Sequence, residues 1–379
     1  MNFSLTREQE FVRQMVREFA ETEVKPLAAE IDITEEFPME NVKKMAKLGM
    51  MGIPFSKEFG GAGGDVVSYA ITVEELSRVC ASTGVIVSAH TSLCASVINE
   101  HGTPAQKEKY LPALAKGERI GAFGLTEPNA GTDAAGQQSI AVDMGDHYIL
   151  NGSKIFITNG GVAEVFIVFA MTDRSKGTKG ISAFIVEKGM PGFSIGKVEE
   201  KLGIRASSTT ELIFEDVKVP KENLLGKEGK GFGIAMKTLD GGRIGIAAQA
   251  LGIAQGAFDE AVSYMKERKQ FGKQLYKFQG LSWMMADMEV AIETARLLVY
   301  KAAWKKENKM PYSVDAAMAK LHAANVAMDV TTKVVQIFGG YGYTKEYPVE
   351  RMMRDAKITE IYEGTSQVQK MVISGNIFK

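Results

Sequence analysis

The sequence predicts an α+β protein, mainly α, built as an N-terminal helical domain, a central β-barrel-like domain and a C-terminal four-helix bundle. Three observations carry this. Residues 1–118 and 229–379 space their apolar side chains at the helical period, whereas 119–228 holds short β-branched and aromatic runs between turn signals. The helix–strand–helix order does not alternate as βαβ, which disfavours a doubly wound sheet. At 379 residues, 45% hydrophobic, the chain is long enough for two or three cores.

In the N-terminal part, Thr6 with Gln9 reads as a capping box ahead of an apolar stripe at Phe11, Met15 and Phe19. Asp65 is placed to cap a helix through Tyr69, Val73 and Leu76, and Thr103-Pro104 with Gln106 reads as another helix start. The glycine cluster at 60–64 is a loop. In the middle, strands are expected at 148–150, 154–158, 165–169, 182–186 and 211–214. Turns at Asn151-Gly152 and Asn159-Gly160-Gly161 would separate them, as in a compact antiparallel barrel or sandwich. Four long helices are expected over roughly 230–267, 278–306, 314–337 and 348–376. The first is rich in Gly and Ala, which permits close approach by another helix or by a ligand.

Composition excludes several classes. A formal net charge of -1 argues against a nucleic-acid surface. Cys80 and Cys94 form no CxxC pair and no secreted disulfide framework, so two reduced buried thiols are expected. No run of about 18 apolar residues is evident, so no membrane span is expected. The N-terminus reads as a first helix rather than a targeting peptide, giving a cytoplasmic protein as the default. The triphosphate-loop, Rossmann, zinc-protease and GxSxG signatures are missing. His90, His101, His147 and His322 are not at metal-ligand spacing, so no metal is expected.

Five local patterns remain. Taken alone, each has a purely structural explanation. Phe123-Gly124-Leu125-Thr126-Glu127-Pro128-Asn129-Ala130-Gly131-Thr132-Asp133 is a polar turn, and Phe156-Ile157-Thr158-Asn159-Gly160 a hairpin. Glu267-Arg268-Lys269-Gln270-Phe271-Gly272 is a basic helix end that complements the dipole. Gln336-Ile337-Phe338-Gly339-Gly340-Tyr341-Gly342-Tyr343 is a helix terminator. Ile361-Tyr362-Glu363-Gly364-Thr365-Ser366-Gln367 is an acid before a capped helix.

Together and in this order, the five segments resemble the acyl-CoA dehydrogenase family over essentially the whole chain, nearest its short-chain and bacterial butyryl-CoA branch. The resemblance implies FAD, electron transfer flavoprotein as redox partner, and a homotetramer made of two dimers. It implies that Phe123, Leu125, Thr126 and Thr132 line the flavin and the acyl-CoA, and that Phe156, Ile157 and Thr158 lie beside the isoalloxazine ring. Arg268 and Gln279 would reach FAD across a dimer interface, with Gln336, Gly339 and Gly340 accommodating its ADP half. Thr365 and Gln367 would complete the FAD contacts, and Asp240, Arg243 and Gly364 would lie at the substrate. Chemistry agrees: a pyrophosphate suits a guanidinium and free backbone N–H groups, and a flavin suits an apolar wall with a few directed donors.

The resemblance also implies the reaction, α,β-dehydrogenation of a short acyl-CoA such as butyryl-CoA to crotonyl-CoA, in either direction. Glu363 would take the α-proton, its backbone N–H would help hold the thioester oxygen, and flavin N5 would take the β-hydride. Some relatives carry the base on the helix that here reads Leu239-Asp240-Gly241-Gly242-Arg243. Their glutamate falls at Gly242, where this chain has no carboxylate. A relative that takes a dicarboxylic substrate, glutaryl-CoA dehydrogenase, holds the distal carboxylate with an arginine on the helix matching residues about 84–100; here no Arg or Lys occurs between Arg78 and Lys107, so the resemblance disfavours such a substrate. A branched-chain acyl-CoA dehydrogenase and a catalytically idle acyl-CoA-binding flavoprotein remain the alternatives.

Overall fold

A computed structural model describes residues 4–378; the first three residues of the N-terminal part and Lys379 lie outside the described residues. Seven α-helices form the N-terminal part: α1 (Arg7–Phe19), α2 (Ala28–Thr34), α3 (Met39–Lys47), α4 (Val66–Val79), α5 (Ala81–Ser88), α6 (Ser96–His101) and α7 (Pro104–Ala115). A π-helical segment, Ala89–Ala95, joins α5 to α6. The capping boxes at Thr6/Gln9 and Thr103/Gln106 are both formed, and Asp65 accepts from the Ser68 N–H at 2.6 Å to cap α4.

The stripe on α1 differs from the expected one. Gln9 turns inward to donate to Asp65 at 2.6 Å, which sets Gln9, Val16 and Phe19 as the buried face and leaves Phe11 exposed. The span Ala81–His101 is long and apolar enough on average to cross a membrane by length and composition, although Ser, Thr and His interrupt its apolar residues. Its apolar stretch is 94% buried inside the fold, because α4, α7, the long helix Gly231–Glu267 and the first strand enclose it. His90, fully buried here, accepts from the Gly121 N–H at 3.0 Å and bonds the Leu114 carbonyl at 3.0 Å. Burial pushes its pKa down to about 4, so a neutral ring joins the helices to the sheet.

The sheet comprises β1 (Gly121–Gly124), β2 (Ile140–Asp143), β3 (His147–Thr158), β4 (Val165–Met171), β5 (Ile181–Glu187), β6 (Phe193–Val198), β7 (Thr209–Pro220) and β8 (Leu224–Leu225). Its order is β6-β7-β3-β2-β4-β5-β8, with β1 added parallel to β4. The other pairings are antiparallel except a parallel contact between β2 and β4. Two turn readings give way. Asn151-Gly152 is a bulge inside β3, where the Asn151 side chain exchanges hydrogen bonds with Asp216 and Gly152 takes φ 134°. Asn159 does turn the chain, but β2 lies between β3 and β4, so no hairpin forms there.

The C-terminal part packs α8 (Gly231–Glu267), α9 (Gln279–Glu307), α10 (Ser313–Phe338), α11 (Val349–Ile358) and α12 (Ser366–Ile377). Between α8 and α9 the basic run folds back as a two-strand hairpin, β9 (Lys269–Gln270) with β10 (Lys273–Gln274), rather than extending the helix. Phe271 and Gly272 form its tip at positive φ. The expected single helix over 348–376 is two, α11 and α12, because Glu363 and Gly364 take φ 50° and 93° between them.

Candidate active site

The break between α11 and α12 presents the acid. Thr359 returns its hydroxyl to the Ala356 carbonyl at 2.7 Å as α11 ends, and Thr365 caps α12 by accepting from the Val368 N–H at 3.3 Å. Between these anchors Glu363 sits in left-handed backbone, which costs a non-glycine residue energy unless its surroundings hold it. The Gly364 carbonyl accepts from Lys320 Nζ at 2.7 Å and from Gln369 Nε2 at 2.8 Å. The Glu363 N–H has no acceptor among the described residues.

Glu363 is only partly covered as a residue, yet its Oε2 is shut off from solvent with no hydrogen-bond partner. A Cβ placed on Gly242 of α8 would stand 2.1 Å from that oxygen and 2.8 Å from Leu93 Cδ2. The carboxyl tip thus lies in a gap bounded by a bare stretch of helix and an apolar side chain of the π-helical segment. Burial raises its pKa from 4.5 to about 7, while Lys320 and then Arg243 pull it down. Arg243 is buried and donates to Asp240 one turn away at 2.5 Å. Tyr362, the preceding residue, points its hydroxyl to Gln249 Oε1.

A second group lies in the β-domain. At the β3–β7 irregularity between Lys154 and Ile157, Phe156 takes φ 58° and is 59% exposed. The neighbouring Ile155 N–H donates to the Thr126 carbonyl at 2.9 Å, which brings the segment after β1 beside the end of β3. Thr158 and Phe123 are half-buried there, and Leu125 is buried. Ile157 turns into the core, leaving only its backbone to face outward. Under this segment Lys154, fully buried, donates to the Leu125 carbonyl at 3.2 Å, to Glu127 at 2.7 Å and to Gln137 at 3.1 Å. Thr132 is exposed at the far side of the same loop.

A third group is a cleft of about 460 Å³ whose lining includes Tyr264, Arg268, Ile337, Gly339, Gly340 and Tyr341. The Arg268 guanidinium lies over the Tyr341 ring, 5.3 Å from its centroid, and has no ion-pair partner among the described residues. Both glycines face open space. None of the β-domain residues 123–158 lines this cleft. Gln279, Gln336 and Gln367 are exposed, and Thr365 is half-buried as the α12 cap.

The sequence-predicted residues therefore form three groups within one chain. Glu363, Gly364, Asp240 and Arg243 meet at the α8–α12 junction. Phe123, Leu125, Thr126, Phe156 and Thr158 gather where the segment after β1 meets the end of β3, and Arg268, Gly339 and Gly340 share the cleft. Sequence reasoning missed Lys320, Gln369 and Lys154. The first two act on a carbonyl, which leaves no local pattern; Lys154 adjoins the Phe156 motif, and its glutamate partner stands inside the Phe123 motif.

Three family models match consecutive stretches: the acyl-CoA dehydrogenase N-terminal domain over residues 6–118, its middle domain over 122–217 and its C-terminal domain over 229–378. The chain belongs to the acyl-CoA dehydrogenase family. It is 80% identical over 379 residues, all of both chains, to a short-chain-specific acyl-CoA dehydrogenase of Clostridium acetobutylicum. The solved butyryl-CoA dehydrogenase of Megasphaera elsdenii superposes with a TM-score of 0.99 at 57% identity, covering 100% of each chain. Equally similar in fold, at TM-score 0.99, 59% identity and full coverage of both, is a chain solved in work on the electron transferring flavoprotein of Acidaminococcus fermentans and flavin-based electron bifurcation.

Proposed function

We propose that this protein is an FAD-dependent dehydrogenase of short-chain acyl-CoA thioesters, interconverting butyryl-CoA and crotonyl-CoA, with Glu363 as the base. The observation that carries the reading is the Glu363 carboxyl: shielded, unpartnered at Oε2 and facing Gly242 across an apolar gap. Burial holds it near pH 7, where a carboxylate is both available and basic enough to take a proton from a thioester α-carbon. The α-proton moves to Oε2 as the α-carbon gains enolate character. The unengaged Glu363 N–H is the chain's own donor for the thioester oxygen, where negative charge develops. Acyl-CoA dehydrogenation is the activity named for the relatives above, and both a short-chain and a butyryl-CoA enzyme stand among them.

FAD fits the residues present. The unpaired Arg268 guanidinium, two glycines open to the cleft and the Tyr264 and Tyr341 rings suit an anionic pyrophosphate and a planar base. Phe156, Thr158, Leu125 and Thr126 offer an apolar wall with hydroxyl donors for the ring system. Bound FAD supplies a hydride acceptor for the β-carbon. Because none of the β-domain group lines the Arg268 cleft, the reading gives the cofactor to two subunits, with Arg268 and Gln279 reaching it from the neighbour. On α9, Trp283, Val290, Leu297 and Trp304 are each more than half exposed at seven-residue intervals, a stripe suited to packing against a second copy. This supports a homo-oligomer, proposed as a tetramer of two dimers. Electron transfer flavoprotein as partner follows from the Acidaminococcus relative.

The test is anaerobic flavin bleaching. Wild type should bleach faster with butyryl-CoA than with octanoyl-CoA or isovaleryl-CoA. Glu363→Gln should keep FAD and bind acyl-CoA, yet bleach about 10²–10⁴-fold more slowly. Near-normal bleaching by this variant would remove Glu363 as the base.

A further inference from the structure

Lys320 stands on α10 with its side chain fully buried. Lysines are rarely buried unless paired, because taking an ammonium out of water is costly. Among the described residues no carboxylate forms an ion pair with Lys320; its one hydrogen bond goes to the Gly364 carbonyl. That carbonyl belongs to the residue after the proposed base, in a turn where Glu363 is held in left-handed backbone and needs outside support. We propose that Lys320 is a positioning residue for Glu363: its ammonium clamps the Gly364 carbonyl and is the principal positive charge set against the Glu363 carboxylate. This rests on the reading of Glu363 as the base.

The charges around Glu363 single out Lys320. From α8 comes Arg243, already held by Asp240 at 2.5 Å, which spends much of its field. From α4 comes Tyr69, a neutral hydroxyl that burial pushes up to about 12. From the same loop come Tyr362, neutral and bonded to Gln249, and Glu360, which acts on Lys320. The π-helical segment contributes Leu93, without charge. Of these groups, Lys320 is the buried cation that forms no ion pair with a carboxylate among the described residues. Burial lowers the pKa of Lys320 to about 8, the Glu363 carboxylate pulls it back up, and Lys320 in turn pulls Glu363 down, so each charge favours the other. The arrangement offsets the burial that would otherwise leave Glu363 protonated and idle.

The test uses the FAD-loaded enzyme as wild type, Lys320→Met and Lys320→Arg. Flavin reduction by butyryl-CoA is followed by anaerobic rapid mixing from about pH 6 to pH 9, the range that brackets a base near neutrality. Glu363 protonation is read separately, as the infrared carboxyl band that Glu363→Gln abolishes. Lys320→Met should move both the acid limb and the infrared titration up by about one unit. That is roughly a tenfold rate loss on the acid side, recovering toward the alkaline plateau. Lys320→Arg should hold both near wild type. A loss uniform across pH with the infrared titration unmoved would make Lys320 merely structural and overturn the proposal. If Lys320→Met does not load FAD, Lys320→Gln is judged by the same two titrations. Fast bleaching by Glu363→Gln would instead sink the base assignment, an outcome distinct from an unshifted Lys320 variant beside a slow Glu363→Gln.

Discussion

Gly242→Ala is the sharpest perturbation the site allows. An alanine Cβ there would stand 2.1 Å from Glu363 Oε2, about 1.3 Å short of ordinary contact, and 2.8 Å from Leu93 Cδ2. Both obstructing atoms are the ends of flexible side chains, so the backbone need not move. Helix propensity favours the alanine by about 1 kcal/mol, and overpacking opposes it by about 1–3 kcal/mol. The net change in stability should be a loss of about 0–2 kcal/mol, within reach of a melting curve. The base, however, must give way. A displacement on the order of 1 Å at a reacting group costs roughly 10²-fold. The assay is stopped-flow bleaching with butyryl-CoA, after FAD content and melting have been measured for both proteins. A folded, flavinated Gly242→Ala that bleaches within about twofold of wild type would refute the placement of Oε2 against α8 and, with it, the view that Gly242 is kept bare for the base.

Other consequences are testable in the same preparations. Glu363 titrates near pH 7 in the fold against 4.5 unperturbed, so between these values the native state holds a proton that the unfolded chain has lost, and stability declines as pH rises. Glu363→Gln removes that decline and should be the more stable protein by about 1–3 kcal/mol at pH 8, with little difference near pH 4; parallel denaturation curves for the two proteins would contradict this. Arg268→Ala should weaken FAD binding about 10- to 150-fold, the equivalent of a charge-assisted hydrogen bond, and loosen the oligomer; unchanged flavin affinity and sedimentation would refute the cross-subunit role. Lys154→Met strands Glu127 without its buried partner and should cost about 3–5 kcal/mol and release FAD readily. Retention of both stability and flavin would mean that the loop after β1 holds its shape without the ammonium.

What the sequence made legible was local. Thr6, Asp65 and Thr103 could be read as caps because a cap is a pattern of three or four adjacent residues. Glu363 stood out because its motif is contiguous. The strands missed were β1, β2, β6, β8, β9 and β10, two to six residues each, too short to develop an alternating pattern. Asn151-Gly152 carried a genuine turn signature, yet pairing along β7 overrode it and turned the same φ preference into a bulge. Lys320 could not be found, since its partner lies 44 residues away and is a main-chain oxygen with no residue type of its own. The facing of Gly242 toward Glu363 is likewise a matter of helix packing; only the comparison of base positions within the family hinted at it.

The π-helical segment Ala89–Ala95 has a consequence for how this chain tolerates change. A π turn carries more residues than an α turn, so it works as an inserted register shift inside an otherwise regular buried rod. On either side of the shift stand two side chains with separate duties: His90, joined to Gly121 and Leu114, and Leu93, against Gly242 and the Glu363 tip. Deleting one residue here, such as Ser92, would let the rod relax to regular α-helix, so that the helices on either side kept their phase while the side chains inside the segment changed direction. His90 would keep its partners while Leu93 swung away from the carboxyl. The length of this stretch, more than its composition, aims one end of the rod at the sheet and the other at the base.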